Sequence, residues 1–295
     1  MGEANKKPSE ANKKTSEANK KTSPRNKQSM PTAEATQTTL RQSILQHLLT
    51  LKIRLSEDEL DSIVRDATQN NHTSWQLLER FLAVPAMSAR ERSYERRIRT
   101  AKFPTTATME SFDWSFNAAT IPRGPLEELA SGEFLARRDN IALVGKSGLG
   151  KSHLIQGIGR ACCVLGVRVC YVTSATLLED LTAAMGKKSL TLKIRYYASF
   201  DLLIIDEFGI DKLERREYPE SASLLYKVID ARNGRRSTAF VTNVDFSDWS
   251  DYLGDPPLVM AMLDRVLDST IVLRFEGKSY RQHRTEQKQA AAKQR

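Results

Sequence analysis

Gly145-Lys146-Ser147-Gly148-Leu149-Gly150-Lys151-Ser152 is a full match to G-x-x-x-x-G-K-[ST]. Glycines at this spacing let a backbone wrap a phosphate chain with its N–H groups turned inward. Lys151 would reach the β- and γ-phosphates, and the Ser152 hydroxyl would sit on Mg²⁺. The flanks fit. Asn140–Val144 is a short apolar run that reads as a buried strand. After it, Leu154, Ile155, Ile158, Ala161 and Cys162 fall on one side of a helix that starts at His153. A helix start adds its positive dipole end. Residues 145–152, with His153, form the predicted ATP contact set.

Some 50 residues later, the apolar run Leu202–Ile205 ends in Asp206-Glu207. Strand ends along one edge of a parallel sheet are where ligands bind. Asp206 can hold the Mg²⁺ shell there, and Glu207 can orient and deprotonate an attacking water. Glu in second place favours a hydrolase over a kinase or a nucleotide sensor. Asn243 ends the next strand-like run, Thr238–Asn243. It can hydrogen-bond the water or the γ-phosphate, or it can simply cap a turn. Arg265, in Leu263-Asp264-Arg265-Val266, lies on a helix that nothing brings to its own phosphate. Supplied by a neighbouring subunit, it would complete charge stabilisation. The plainer alternative is a surface pair with Asp264.

These groups need an α/β scaffold. From residue 126 onward, strands are predicted at 140–144, 167–172, 202–205, 238–243 and 270–275. Helices are predicted at 125–136, 153–165, 176–185, 190–198, 219–233 and 257–267. Such alternation gives a parallel sheet covered on both faces. Residues 38–102 read as a small all-helical N-terminal domain. One helix carries Leu40, Ile44, Leu45, Leu48 and Leu49; capping boxes at Ser56–Glu59 and Ser88–Glu91 open two others. A further helix opens at Thr73 or Ser74. Residues 103–125 form a linker whose Phe112, Trp114 and Phe116 either anchor to the core or pack the adenine side of the site. The core spans 126–276, and 277–295 is a basic tail.

The net charge of +9 sits at the ends. Residues 1–30 carry eight Lys/Arg against three Glu, and 274–295 carry seven against two. Basic ends suit contact with a polyanion, although charged tails also merely solvate. Residues 2–22 repeat Glu-Ala-Asn-Lys-Lys three times with nothing apolar beyond Ala, so 1–37 is expected to be a disordered tail. Arg90, Arg92, Arg96, Arg97 and Arg99 make the last N-terminal helix strongly basic. With Lys187, Lys188 and Arg195 they are the candidate DNA contacts. Cys162, Cys163 and Cys170 show no metal spacing and read as reduced core thiols. No apolar run approaches the ~18 residues of a membrane span, and no secretory leader is visible. A cytoplasmic protein with no membrane partner is expected.

Taken together, these motifs resemble an AAA+ ATPase. More narrowly, the chain is similar to the IstB-like insertion-sequence transposition helpers, relatives of the DnaC helicase loaders. The resemblance rests on Ala101-Lys-Phe-Pro104, Glu110-Ser-Phe-Asp-Trp114, Gly145–Ser152, Leu202–Glu207, Leu263-Asp-Arg265 and Gly277-Lys-Ser-Tyr-Arg281. It implies an AAA+ P-loop NTPase fold with ATP and Mg²⁺ as cofactors and a C-terminal lid that is absent or minimal. It implies a homo-oligomer on duplex DNA that recruits and stimulates a transposase. Under it, Asn243 matches a sensor position and Arg265 a finger acting in trans; Tyr280 and Arg281 match a motif of underived role. A helicase loader is the alternative, and a plain P-loop ATPase without nucleic acid the third reading. Gly-Lys-Ser-Tyr-Arg speaks against the second reading, and the basic helix and ends against the third.

Overall fold

The computed structural model describes residues 33–209 and 220–293. The repeat at 2–22 and the basic run at 1–30 lie outside them. The chain divides after Leu78 into two compact units.

In the first unit, α1 (Ala33–Thr50) and α2 (Glu57–Gln69) are followed by the opening turn of α3 (Ser74–Ala101). The predicted capping box at Ser56 is present: Ser56 N–H donates to Glu59 at 2.7 Å, and Glu59 N–H donates back to Ser56 Oγ at 3.2 Å. Leu48, Leu60, Ile63 and Ala67 are its buried apolar residues. Arg41 ties α1 to α2 with two 2.8 Å bonds to Asp61, the fork geometry that suits a carboxylate.

The sequence predicts a break before Ser88, but α3 runs unbroken through Pro85 and Ser88. Proline forfeits its N–H bond and crowds the carbonyl four residues back, but the Ala-, Met-, Arg- and Glu-rich stretch after it favours helix. Inside a helix there are no orphan N–H groups for Ser88 to cap.

The second unit is built on five parallel strands: β1 (Asn140–Gly145), β2 (Val169–Thr173), β3 (Leu202–Phe208), β4 (Ser237–Thr242) and β5 (Thr270–Phe275). Their order is β2-β3-β4-β1-β5. Alternation along each strand feeds two cores. Ile141, Leu143, Tyr171, Leu202, Ile204 and Val241 face α4 (Arg123–Ala130), α5 (Glu133–Arg137), α6 (Lys151–Val164) and the end of α3. Ala142, Val144, Val172, Leu203, Ile205 and Phe240 face α7 (Ser174–Gly186), α8 (Leu190–Ala198), α9 (Ser221–Arg232), α10 (Trp249–Leu253) and α11 (Pro256–Leu267). Each large apolar side chain buried this way contributes about 1.5–3 kcal/mol.

Two further differences from the predicted elements have local causes. The helix expected over 125–136 is split at Gly132, which adopts φ 79°. A left-handed residue ends a helix, and glycine takes that conformation without a Cβ penalty. Where the sequence predicts a basic tail, the chain after β5 forms α12 (Tyr280–Lys293). The three cysteines are free and buried, and burial raises Cys162 to about 12.

Candidate nucleotide site

Parallel topology puts the C-terminal ends of β1, β3 and β4 on one edge. β4 lies between the other two. Asn243 therefore stands between the phosphate loop and the acid pair. A cavity of about 250 Å³ opens at this edge. Ser147 through His153, Asp206, Glu207 and Asn243 line it. Of the predicted contact set, Gly145 and Lys146 are not among the lining residues.

The loop after β1 leads directly into α6. Gly148 and Gly150 hold φ 84° and 86°, and a Cβ on either would overlap a neighbour: Ser279 at Gly148, Phe112 at Gly150. The loop is thus clamped between the 103–125 segment and the C-terminus. Lys151, the first residue of α6, donates to the carbonyls of Gly145 at 2.5 Å and Lys146 at 2.8 Å. These bonds keep the ammonium over the loop, where phosphate oxygens would replace carbonyls as acceptors.

Ser152 Oγ donates to Asp206 Oδ1 at 3.1 Å. Two hard oxygens this close suit Mg²⁺, which takes one or two protein ligands and completes its shell with phosphates and water. Among the described residues no cluster of three His, Cys, Asp or Glu could hold a metal alone. The donor set therefore fits a nucleotide-borne Mg²⁺.

Glu207 is exposed, unlike the six other residues of β3. The cause is a β-bulge. Ile205 pairs with Phe240 and Phe208 with Thr242, so Asp206 and Glu207 together oppose Val241. Leu203, Ile205 and Phe208 then share one core, which simple alternation forbids. Glu207 takes φ 59°, a left-handed conformation costing a non-glycine residue about 1–3 kcal/mol. Bulge and strain turn its side chain out of the sheet into the cavity.

The other end of the cavity is lined by Phe112, Phe116, Asn117, Ile121 and Tyr280. Here the linker aromatics divide their work. Trp114 packs on the core and donates its indole N–H to Met109 O at 3.2 Å. Phe112 meets the His153 ring edge-on, and Phe116 meets Tyr280. His153 itself sits 3.0 Å from Thr108 O and 3.1 Å from Ser111 Oγ.

The Gly277–Arg281 motif now has a structural role. Asn117 exchanges two bonds with Lys278, Nδ2 donating at 2.8 Å and Oδ1 accepting at 3.1 Å. Tyr280 N–H donates to Gly148 O at 2.9 Å. The motif thereby staples the linker to the phosphate loop and delivers Arg281 to the cavity wall. Sequence reading left this arginine without a role; its signal was its place in the Gly277–Arg281 motif.

Burial lowers the Lys151 ammonium from 10.5 to about 8; Asp206 opposes the shift and Arg281 adds to it. A polyphosphate binds the charged form, so above pH 8 binding must take up a proton. Nucleotide affinity is expected to fall above pH 8, by up to about tenfold per pH unit. Lys151→Arg, which does not titrate there, is expected to flatten the profile. The effect on folding has the opposite sign. The unfolded chain binds more protons between 8 and 10.5, so this group's contribution to stability rises with pH across that window.

Arg265 does not line the cavity. On α11 it donates to Asp230 Oδ1 at 2.8 Å and Ala261 O at 2.9 Å, with its guanidinium 5.0 Å from the Tyr226 ring centre. Its partner is thus Asp230, not the neighbouring Asp264. The candidate DNA contacts separate. Arg90, Arg92, Arg96, Arg97 and Arg99 are on α3, whose Tyr94 and Ile98 pack on one core. Lys187, Lys188 and Arg195 are exposed beside α7 and on α8, which pack on the other. Arg97 is partly committed, donating to Cys163 O at 2.8 Å where α6 ends. Arg96, Arg97 and Thr100 share a groove with Arg168, which sequence reading passed over. Arg168 is held by Asp201 and by Ser199 O at 2.6 Å.

Among the described residues, no helix is long and apolar enough to cross a membrane.

Residues 47–289 match the model of the family described as IstB-like ATP binding protein. The insertion sequence IS232 putative ATP-binding protein of Bacillus thuringiensis subsp. berliner is 31% identical over 81% of this chain and 94% of its own. The IS5376 counterpart of Geobacillus stearothermophilus is 29% identical over 82% and 94%. Among solved structures, the DnaC helicase loader is 18% identical with a TM-score of 0.48, covering 60% of this chain and all of that one. With a phosphate loop, an acid-tipped strand and a five-stranded parallel sheet already in place, the chain belongs to the family of IstB-like ATP-binding proteins of insertion sequences.

Proposed function

We propose that this protein binds MgATP, hydrolyses it as a homo-oligomer assembled on duplex DNA, and recruits and stimulates a partner transposase in the cytoplasm. The observation that carries the ATPase half is the convergence of Lys151, Ser152, Asp206, Glu207, Asn243 and Arg281 on one cavity. Lys151 and Arg281 neutralise phosphate charge. Ser152 and Asp206 would hold Mg²⁺, which would neutralise phosphate charge when bound. Glu207 orients the water and accepts its proton, and Asn243 hydrogen-bonds the water or the γ-phosphate. Arg265 of each subunit serves the neighbouring site.

The DNA half is supported by the insertion-sequence relatives and by the groove at Arg96 and Arg168. In that groove the Arg97 and Arg168 guanidiniums, held on the carbonyls of Cys163 and Ser199, are placed before any ligand arrives, which suits phosphodiester oxygens. The test is binding to random-sequence duplex and single strands, with and without ATP, across a salt series. ATP-dependent duplex binding that weakens steeply with salt is expected. Changing Arg96 and Arg168 to Ala is expected to reduce the log–log salt slope by about 0.9 for each phosphate no longer neutralised. ATP affinity should not change. A preference for single strands would move the assignment to the helicase-loader class.

A further inference from the structure

We infer that Tyr171 is a positioning residue for the metal-binding carboxylate, fixing Asp206 so that one oxygen faces Ser152 and the site's affinity for Mg²⁺-nucleotide depends on it. The inference rests on the MgATP reading above and goes beyond the motif residues.

Asp206 is 1% exposed, and its two oxygens are divided between different donors. Oδ1 accepts from Ser152 Oγ at 3.1 Å and from the Glu207 N–H at 2.7 Å. Oδ2 accepts from the Tyr171 hydroxyl at 2.5 Å. That is the shortest of the three bonds, and it is the one made by a residue outside both motifs.

Strand register explains how Tyr171 reaches. Tyr171 pairs with Ile204, and Thr173 pairs with Asp206. Tyr171 is therefore on the same face as Asp206 but two positions back on the adjacent strand. A long side chain spans such a diagonal. Its ring is held in the core, with Phe103 at 6.2 Å between centroids. The donor is thus rigid and aimed along the sheet at the carboxylate.

A phenol is also the right kind of donor. A lysine or arginine here would neutralise the carboxylate that must attract a cation; a neutral hydroxyl orients it and leaves its charge. The bond also leaves the Oδ1 side, next to Ser152, as the side from which a cation is met.

The test uses the full chain and a fluorescent ATP analogue, titrated in EDTA and then with increasing Mg²⁺. Loss of an outer-shell partner typically weakens metal affinity 10–100-fold. Tyr171→Phe is therefore expected to raise the Mg²⁺ concentration for half-maximal binding about tenfold or more, with affinity in EDTA within about twofold of wild type. An unchanged Mg²⁺ requirement in Tyr171→Phe overturns the inference. So does an equal loss with and without Mg²⁺, because that is what a packing defect produces; thermal melting of the variant separates the two. Wild-type binding indifferent to Mg²⁺ would instead sink the MgATP reading itself.

Discussion

Glu207→Gln is expected to bind ATP with near wild-type affinity and to hydrolyse it about 10²–10⁴-fold more slowly, the usual span for a lost general base. The geometry makes this residue hard to explain otherwise. It is exposed at the tip of an otherwise buried strand, with a left-handed backbone that a glycine would adopt at no cost. Strain of that kind persists where the surroundings over-determine it. Here the bulge against β4 supplies the constraint, and the result is a carboxylate lifted beside Asp206 rather than returned to the core. Gln keeps the shape and the hydrogen-bonding reach but cannot take a proton. Steady-state hydrolysis and analogue binding on the same preparation decide the matter. Turnover within tenfold of wild type would assign the water-activating role elsewhere. With hydrolysis blocked, the variant should also hold DNA longer in the presence of ATP.

The parts of this site that could be read in the sequence are those where local spacing dictates geometry. A strand, a glycine loop and a helix in series leave the loop one arrangement, so pattern alone puts Gly148 to Ser152 at the passage from β1 into α6. Asp206 followed because a buried strand must end at the sheet edge. The strand order was not readable. Interposing β4 between β1 and β3 is a matter of long-range pairing, and that pairing is what puts Asn243 beside the acid pair. Tyr171 was invisible for a similar reason, and so was the role of Arg281. Tyr171 looks like any aromatic in a strand until the β2–β3 register sets it diagonal to Asp206. Arg281 closes a motif without a derivable role until Asn117, 161 residues away from Lys278, staples that end to the loop. The break expected before Ser88 failed on a local signal. Ser-x-x-Glu opens a helix where N–H groups are free, and within α3 they are already spent.

Arg265→Ala is expected to lower turnover about 10³–10⁵-fold with nucleotide affinity little changed, the size of effect an arginine supplied in trans produces. In its own subunit the guanidinium is occupied by Asp230 and by Ala261 O, and it lies against Tyr226 rather than in the cavity. A large loss from a residue so placed needs either a second subunit or a structural collapse. Mixing separates these. Lys151→Ala lacks a working loop but keeps its arginine; Arg265→Ala keeps its loop but lacks the arginine. Neither should turn over alone. Together they should regain activity in proportion to the interfaces that pair a sound loop with a sound arginine, and the gain should rise with protein concentration. A mixture that stays silent while both variants still assemble would exclude action in trans. Asp230→Asn supplies the remaining control. If Arg265 matters only as the partner of Asp230, this variant should lose turnover as severely as Arg265→Ala. If Asp230 merely holds the guanidinium between encounters with a neighbour, freeing it should leave maximal turnover intact and lower the protein concentration at which turnover appears.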